Sequence, residues 1–240
     1  MSTSPSSDQR PRLGWRHIGG IAAVVFLAVI AAVAVTVAVI GPSNSEQQRP
    51  APPSRPSAPA PPADRPPQGN QALPTAAPPV QWELVQRIAV PVSAEAGPYV
   101  HNGAVASGFQ RSPVGALVAA TQISTRYLVS PGDGWRQVTE QQVLPGPGRD
   151  LYMRARAAAG DDLGDAITQL AGFRFVTYSP DVAVIQLASK APNGGLVGTT
   201  VTVRWAGGDW KLELQPNGGV SPASAPLADL TYYTAFSGVN

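Results

Sequence analysis

The sequence predicts an α+β fold carried on a single membrane span, and three observations predict it. Residues 18–40, "IGGIAAVVFLAVIAAVAVTVAVI", run for 23 residues without a charge. Residues 42–79 hold 13 of the 26 prolines and so form neither helix nor core. From Trp82 onward helical periodicity comes first and strand alternation second, the order of an α+β body.

The apolar run is roughly 34 Å long as a helix, enough to cross a hydrocarbon core of about 30 Å. "AVA" at residues 32–34 resembles a signal cleavage site, but a signal h-region is only about 7–15 residues long. The run is therefore read as an uncleaved anchor. Arg10, Arg12 and Arg16 precede it, and Arg49 and Arg55 are the nearest bases after it. That asymmetry keeps residues 1–17 cytoplasmic and exports the chain beyond the span. The expected location is the cell membrane, single-pass, with lipid as the first partner. Residues 41–80 then form a linker, whose proline content favours extended chain with a reach on the order of 100 Å.

Residues 81–215 are the expected α+β domain. "WELVQRIAVPV" at 82–92 is rich in strand formers but contains Pro91, which suggests an edge strand or an extended entry arm. Ser112 and Pro113 open a helix as N-cap and first helical residue, with Val114, Leu117, Val118, Thr121 and Leu128 on one stripe. "SPG" at 130–132 ends it. Asp133 is placed to cap a shorter helix carrying Trp135 and Val138, which "PGPG" at 145–148 breaks. Residues 149–171 read as one or two short helices divided at Gly160. "GFRFVTYS" and "VAVIQLAS" then form two strands around a turn at Pro180 and Asp181.

The most informative stretch is "VRWAGGDWKLEL" at 203–214. With Gly207 and Gly208 as the centre of a tight hairpin, Trp205 lies opposite Trp210, Val203 opposite Leu212 and Val201 opposite Leu214. These six share an apolar face. Arg204 then opposes Lys211, with Glu213 diagonal to Arg204 as compensation. A one-residue slip would turn one apolar set to water, so the pattern fixes the register. Residues 216–240 form a C-terminal tail, whose "PLADLTYYTAF", with Tyr232 and Tyr233, is an amphipathic segment that docks on the domain.

Composition narrows the chemistry. There is no cysteine, which removes disulfides, thiol nucleophiles and thiolate metal sites. From Gln81 onward 11 basic residues face 12 acidic ones, so no clustered basic surface for nucleic acid is expected. His101, in "PYVHNG", is the one histidine of the foldable part and has no partner identifiable in sequence. "PNGGLVG" lacks the end of a phosphate-binding loop and reads as a connection. Asp161, Asp162 and Asp165 lack the spacing of a calcium loop and read as helix N-terminal acids. No catalytic, cofactor or metal residue is assigned. Trp205, Trp210, Tyr127, Tyr178 and His101 are the candidates for partner or ligand contact.

Taken in order, the basic head, single span, proline-rich spacer, long helix with shorter ones, and sheet ending in "TVTVRWAGGDWKLEL" resemble the bitopic subunits of type IV secretion and conjugation machinery. The exported domain of those subunits is a cone of the nuclear-transport-factor-2-like kind. The chain is also similar to single-span proteins associated with mycobacterial-type lipid importers. The likeness covers about residues 10–215 and is architectural, its most pointed local element being the tryptophan before the turn and "DWKL" after it. It implies a helix-backed, strongly curved antiparallel sheet, self-association into a homo-oligomer, and a non-enzymatic scaffolding role among other envelope-complex proteins. Two alternatives are a cone-fold enzyme or small-ligand binder, which would draw on Tyr127, Tyr178 and His101, and a wall-contacting anchor that uses the spacer as a stalk. The residues after Pro216 have no counterpart in the resemblance.

Overall fold

The computed structural model describes residues 70–159, 167–221 and 224–238. The expected span at 18–40 and the acidic cluster Asp161, Asp162 and Asp165 lie outside the described residues. Among the described residues no helix is long and apolar enough to cross a membrane.

The body is α+β: a curved antiparallel sheet with three helices, the first of which crosses the inner face of the sheet. Where the sequence suggests one edge strand or an entry arm, two strands form. β1 (Gln81–Val85) and β2 (Ile88–Val92) pair antiparallel, with Trp82 opposite Pro91, around a turn in which Gln86 takes φ 56°. β3 (Val100–Asn102) and β4 (Val105–Ser107) make a second small hairpin.

Helix α1 (Pro113–Val129) starts as expected, the Ser112 hydroxyl accepting a bond from the Gly115 N–H at 3.1 Å. Its burial is wider than one stripe. Leu117, Val118 and Thr121 are buried, but so are Ala116, Ala119, Ala120, Gln122 and Ile123, whereas Val114 and Leu128 are only partly covered. The reason is enclosure: α1 packs on the large sheet on one side and on the β1–β2 hairpin on the other. Its polar buried residues are paired. The Arg126 guanidinium meets the Glu83 carboxylate at 2.7 Å, and Gln122 donates to Glu83 at 2.9 Å and to the Pro91 carbonyl at 3.0 Å, tying helix to hairpin.

Helix α2 (Gly134–Gln142) buries Trp135 and Val138 as expected. Asp133 does not cap it, because its own backbone is helical (φ −81°, ψ −1°) and its carboxylate turns instead toward Arg136 at 3.9 Å. Helix α3 (Pro147–Ala159) begins within the expected break, on a proline suited to a first turn. The helical expectation for 149–171 is too long at its end, since residues 169–171 already belong to a strand.

The six-stranded sheet contains β5 (Gln169–Ser179), β6 (Val182–Lys190), β7 (Leu196–Ala206), β8 (Asp209–Glu213), β9 (Ala225–Leu227) and β10 (Thr234–Ala235). Its order is β10-β5-β6-β7-β8, with β9 also on β7. Two bulges in β5, between Leu170 and Gly172 and between Phe175 and Thr177, bend it. They also reset its alternation. Leu170, Phe173, Phe175 and Tyr178 lie opposite Ser189, Leu187, Ile185 and Ala183, all on the inner face, while Val176 is turned outward.

Two short strands from the chain after Pro216 join the sheet. β9 pairs with the start of β7, and β10 pairs with Gly172 and Phe173 on the opposite edge. Between them Tyr233 lies across the outer face, its hydroxyl donating to Gln186 at 2.6 Å. Gly198 makes room for this strap, since a Cβ there would sit 3.1 Å from Leu227 and 3.2 Å from the Tyr233 hydroxyl. Phe236 then turns into the core against Trp82 and Phe173, with ring centroids 4.9 and 5.4 Å away. The amphipathic "TYYTAF" thus docks as expected, while Tyr232 stays exposed.

Candidate contact site

Two glycines build the site's first half. Gly207 (φ 63°) and Gly208 (φ 83°) form the turn, and Trp205 faces Trp210, Val203 faces Leu212 and Arg204 faces Lys211. The diagonal ion pair forms as well, Arg204 to Glu213 at 2.7 Å. Leu214 lies beyond the end of β8, so the expected pair with Val201 is not made. The two indoles meet nearly edge to face at 5.6 Å. Trp210 is fully buried and its Nε1–H donates to the Gln110 carbonyl at 2.9 Å, whereas Trp205 is half-buried.

The second bulge of β5 brings Tyr178 to the same place, its ring 6.4 Å from Trp210 and 6.2 Å from Phe175. Phe173 and Phe236 continue the row to Trp82, giving seven rings in contact from β7 to β1. The row's Trp205 end is polar. Arg111 stacks over Trp205 at 5.5 Å, donates to the Pro180 carbonyl at 3.0 Å and pairs with the Asp181 carboxylate. The Tyr178 hydroxyl donates to the Gln71 side-chain oxygen at 2.8 Å, and the Gln71 amide donates to the Arg111 carbonyl at 3.0 Å. Burial raises the Tyr178 pKa above the ordinary tyrosine value, with Arg111 pulling the other way.

Of the five candidate residues, Trp205, Trp210 and Tyr178 are therefore brought together, and two are not. Tyr127 stacks on Tyr152 at 4.7 Å in a second cluster with Trp135, where the Tyr152 hydroxyl donates to the Tyr127 carbonyl at 2.8 Å. Burial holds both phenols far above the ordinary value. His101 stands exposed on β3 opposite Ala106.

Three participants carry no sequence signal of their own. Asp209 is buried, and its carboxylate accepts from the Gly108, Phe109 and Trp210 N–H groups, each at 2.9 Å. That bond set fixes the start of β8 against the loop after β4. Arg111 and Gln71 act through backbone groups and a phenol distant in sequence, which no spacing rule reveals. Among the described residues no group of three or more His, Asp or Glu is placed to hold a metal.

A family model described as a domain of unknown function, DUF8175, matches residues 42–235. The chain belongs to the DUF8175 family. No curated protein and no solved structure matches it. The DUF8175 match takes in the proline-rich segment at one end and the strap through β10 at the other, so the family unit is wider than the body from β1 to β8.

Proposed function

We propose that this DUF8175 protein is a non-enzymatic assembly component of a membrane-envelope complex, of the type IV secretion or conjugation kind. In this reading the body is an exported, nuclear-transport-factor-2-like cone on a proline-rich stalk, anchored by residues 18–40. One observation carries it: the inner face of the sheet is filled by α1 and the aromatic row, and three of the polar ring atoms packed in and around them bond within the protein. Trp210 Nε1 is bonded to Gln110, the Tyr152 hydroxyl to Tyr127 and the Tyr178 hydroxyl to Gln71. These three groups serve the fold. The half-buried Trp205 and Tyr178 favour the second reading, a tethered small-ligand binder.

Crosslinking the full-length protein in native membranes separates the two. Scaffolding gives crosslinked homo-oligomers or adducts with envelope proteins. Recovery of monomer alone, together with a tightly held small molecule, overturns it in favour of ligand binding. Orientation is tested by Ala60→Cys, a unique thiol in a cysteine-free chain. It should react with an impermeant maleimide in intact cells, and labelling only after lysis rules out export.

A further inference from the structure

We infer that the Asn102–Gly103 bond, at the tip of the β3–β4 hairpin, is a self-modification site at which Asn102 converts to aspartate and isoaspartate. Four bonds in the sequence join Asn or Asp to Gly: Asn102–Gly103, Asp133–Gly134, Asn193–Gly194 and Asn217–Gly218. In each, the backbone nitrogen can approach the preceding side-chain carbonyl, because glycine has no Cβ to block it. In three of them that nitrogen is already committed. Gly134 N–H donates to the Pro131 carbonyl at 3.0 Å, Gly194 N–H to the Ala191 carbonyl at 2.9 Å and Gly218 N–H to the Gln215 carbonyl at 2.8 Å. Their side chains are engaged as well: Asn193 accepts from Gly195 N–H and Asn217 from Gly219 N–H, each at 3.0 Å, and Asp133 faces Arg136 at 3.9 Å. Gly103 differs. Among the described residues its N–H has no acceptor and the Asn102 side chain no partner, and both residues are exposed.

Turn position explains the difference. In the other three the glycine closes its turn, so its N–H makes the bond that defines the turn. Gly103 takes φ 61° as the first central residue of the two-residue connection between Asn102 and Val105, where the N–H lies outside the ladder. Hydroxide removes the Gly103 N–H proton and the nitrogen attacks Asn102 Cγ. An N–Cγ bond forms, the Cγ–Nδ2 bond breaks, and ammonia leaves with a proton from water. Water then opens the five-membered imide. Opening at Cγ gives aspartate, and opening at the main-chain carbonyl gives isoaspartate, whose backbone runs through Cβ and Cγ. The net change is one water taken up and one ammonia lost, with no oxidation. Ring closure requires Asn102 to rotate and so opens its pair with Val105, the end pair of a ladder only three pairs long. Either product adds one negative charge. Isoaspartate also lengthens the backbone beside Ala104, whose carbonyl accepts from Arg126 at 3.1 Å and ties the hairpin to α1. The inference is independent of the scaffold reading and of export.

The test is peptide mapping of the full-length protein, aged in detergent at mildly alkaline pH. Trypsin places Asn102, Asn193 and Asn217 in separate peptides, 88–111, 191–204 and 212–240. Conversion appears as a gain of about 1 Da, an NH2 exchanged for an OH. In the folded protein Asn102 should convert about two- to tenfold faster than Asn193 or Asn217, the factor that corresponds to one hydrogen bond on the glycine N–H. In protein aged in urea, where the turns are lost, the three rates should converge. Conversion of folded Asn193 or Asn217 as fast as that of Asn102 overturns the inference. So does a folded Asn102 that stays intact while all three convert in urea. Hydrogen exchange across residues 104–107 should quicken in the aged protein and hold its starting rate in aged Asn102→Ser, which has no amide to lose. Equal rates in the two, with Asn102 converted, overturn the coupling of the tip to the hairpin.

Discussion

Asp209→Asn is the substitution whose cost the structure fixes most closely. One carboxylate oxygen accepts from Phe109 N and Trp210 N and the other from Gly108 N, in a buried setting. The amide has a single acceptor. Whichever way it turns, an NH2 group faces at least one of these N–H donors. A charge-assisted bond contributes about 1.5–3 kcal/mol and a buried unsatisfied donor costs about 1–3 kcal/mol, so the loss is set near 2–4 kcal/mol with partial relaxation. Against an ordinary domain stability of about 5–15 kcal/mol this is large. With a urea m-value of about 2 kcal/mol/M, the midpoint should fall by about 1–2 M, monitored by tryptophan fluorescence. Asp133→Asn, exposed and without a capping bond, is the control and should cost under about 0.5 kcal/mol. If both variants unfold at the wild-type midpoint, the three N–H groups do not depend on that carboxylate and the account of the β8 junction is wrong.

Three further outcomes are expected. Gly207→Val should lose about 1–2 kcal/mol from its left-handed backbone alone, because a Cβ there meets no atom within 4 Å, and Gly207→Asn should lose less in the same urea titration. Phe236→Ala should cost about 3–5 kcal/mol and speed hydrogen exchange at the β10–β5 edge; exchange there at the wild-type rate would mean that Phe236 does not pin the strap. Tyr127 and Tyr152, held neutral in the fold, stabilise it fully below the ordinary tyrosine pKa of about 10. Above that pH the unfolded chain ionises first, and each should remove about 1.4 kcal/mol per pH unit until its folded value is reached. Tyr127→Phe should reduce that alkaline slope, measured from urea midpoints between pH 9 and 12.

The tryptophan hairpin was legible because two local codes agree in it. Adjacent glycines admit the turn, and strict alternation on both sides leaves one register that buries Trp210 and Leu212. Tyr178 was legible as a candidate but not as a neighbour of Trp210, since simple alternation from Phe173 and Phe175 puts Thr177 on the inner face. A bulge at Val176 exchanges the two, and a bulge leaves no periodic trace. α1 shows a stripe in sequence because its small residues read as neutral. Ala116, Ala119 and Ala120 are buried because the β1–β2 hairpin closes over the helix, and that closure is a long-range event. β9 and β10 are three and two residues long, below any period, and their place is set by Gly198 and Phe236.

The ends of the described chain meet on one strand, and this decides where a pull on the chain is resisted. The chain enters at Gln71, bonded to Tyr178 near the end of β5, and runs through Trp82, whose ring touches Phe236 from the C-terminal strap. Phe236 in turn packs on Phe173, near the start of the same strand. A pull applied through the proline-rich side reaches Gln71 before the strands, and its side-chain bonds with Tyr178 and with the Arg111 carbonyl are among the contacts that resist it. Beyond that it meets β1, bound to β2 along its length and to α1 through Glu83 and Arg126. The strand pair is a strong anchor because peeling β1 uncovers Trp82 and the end of the aromatic row.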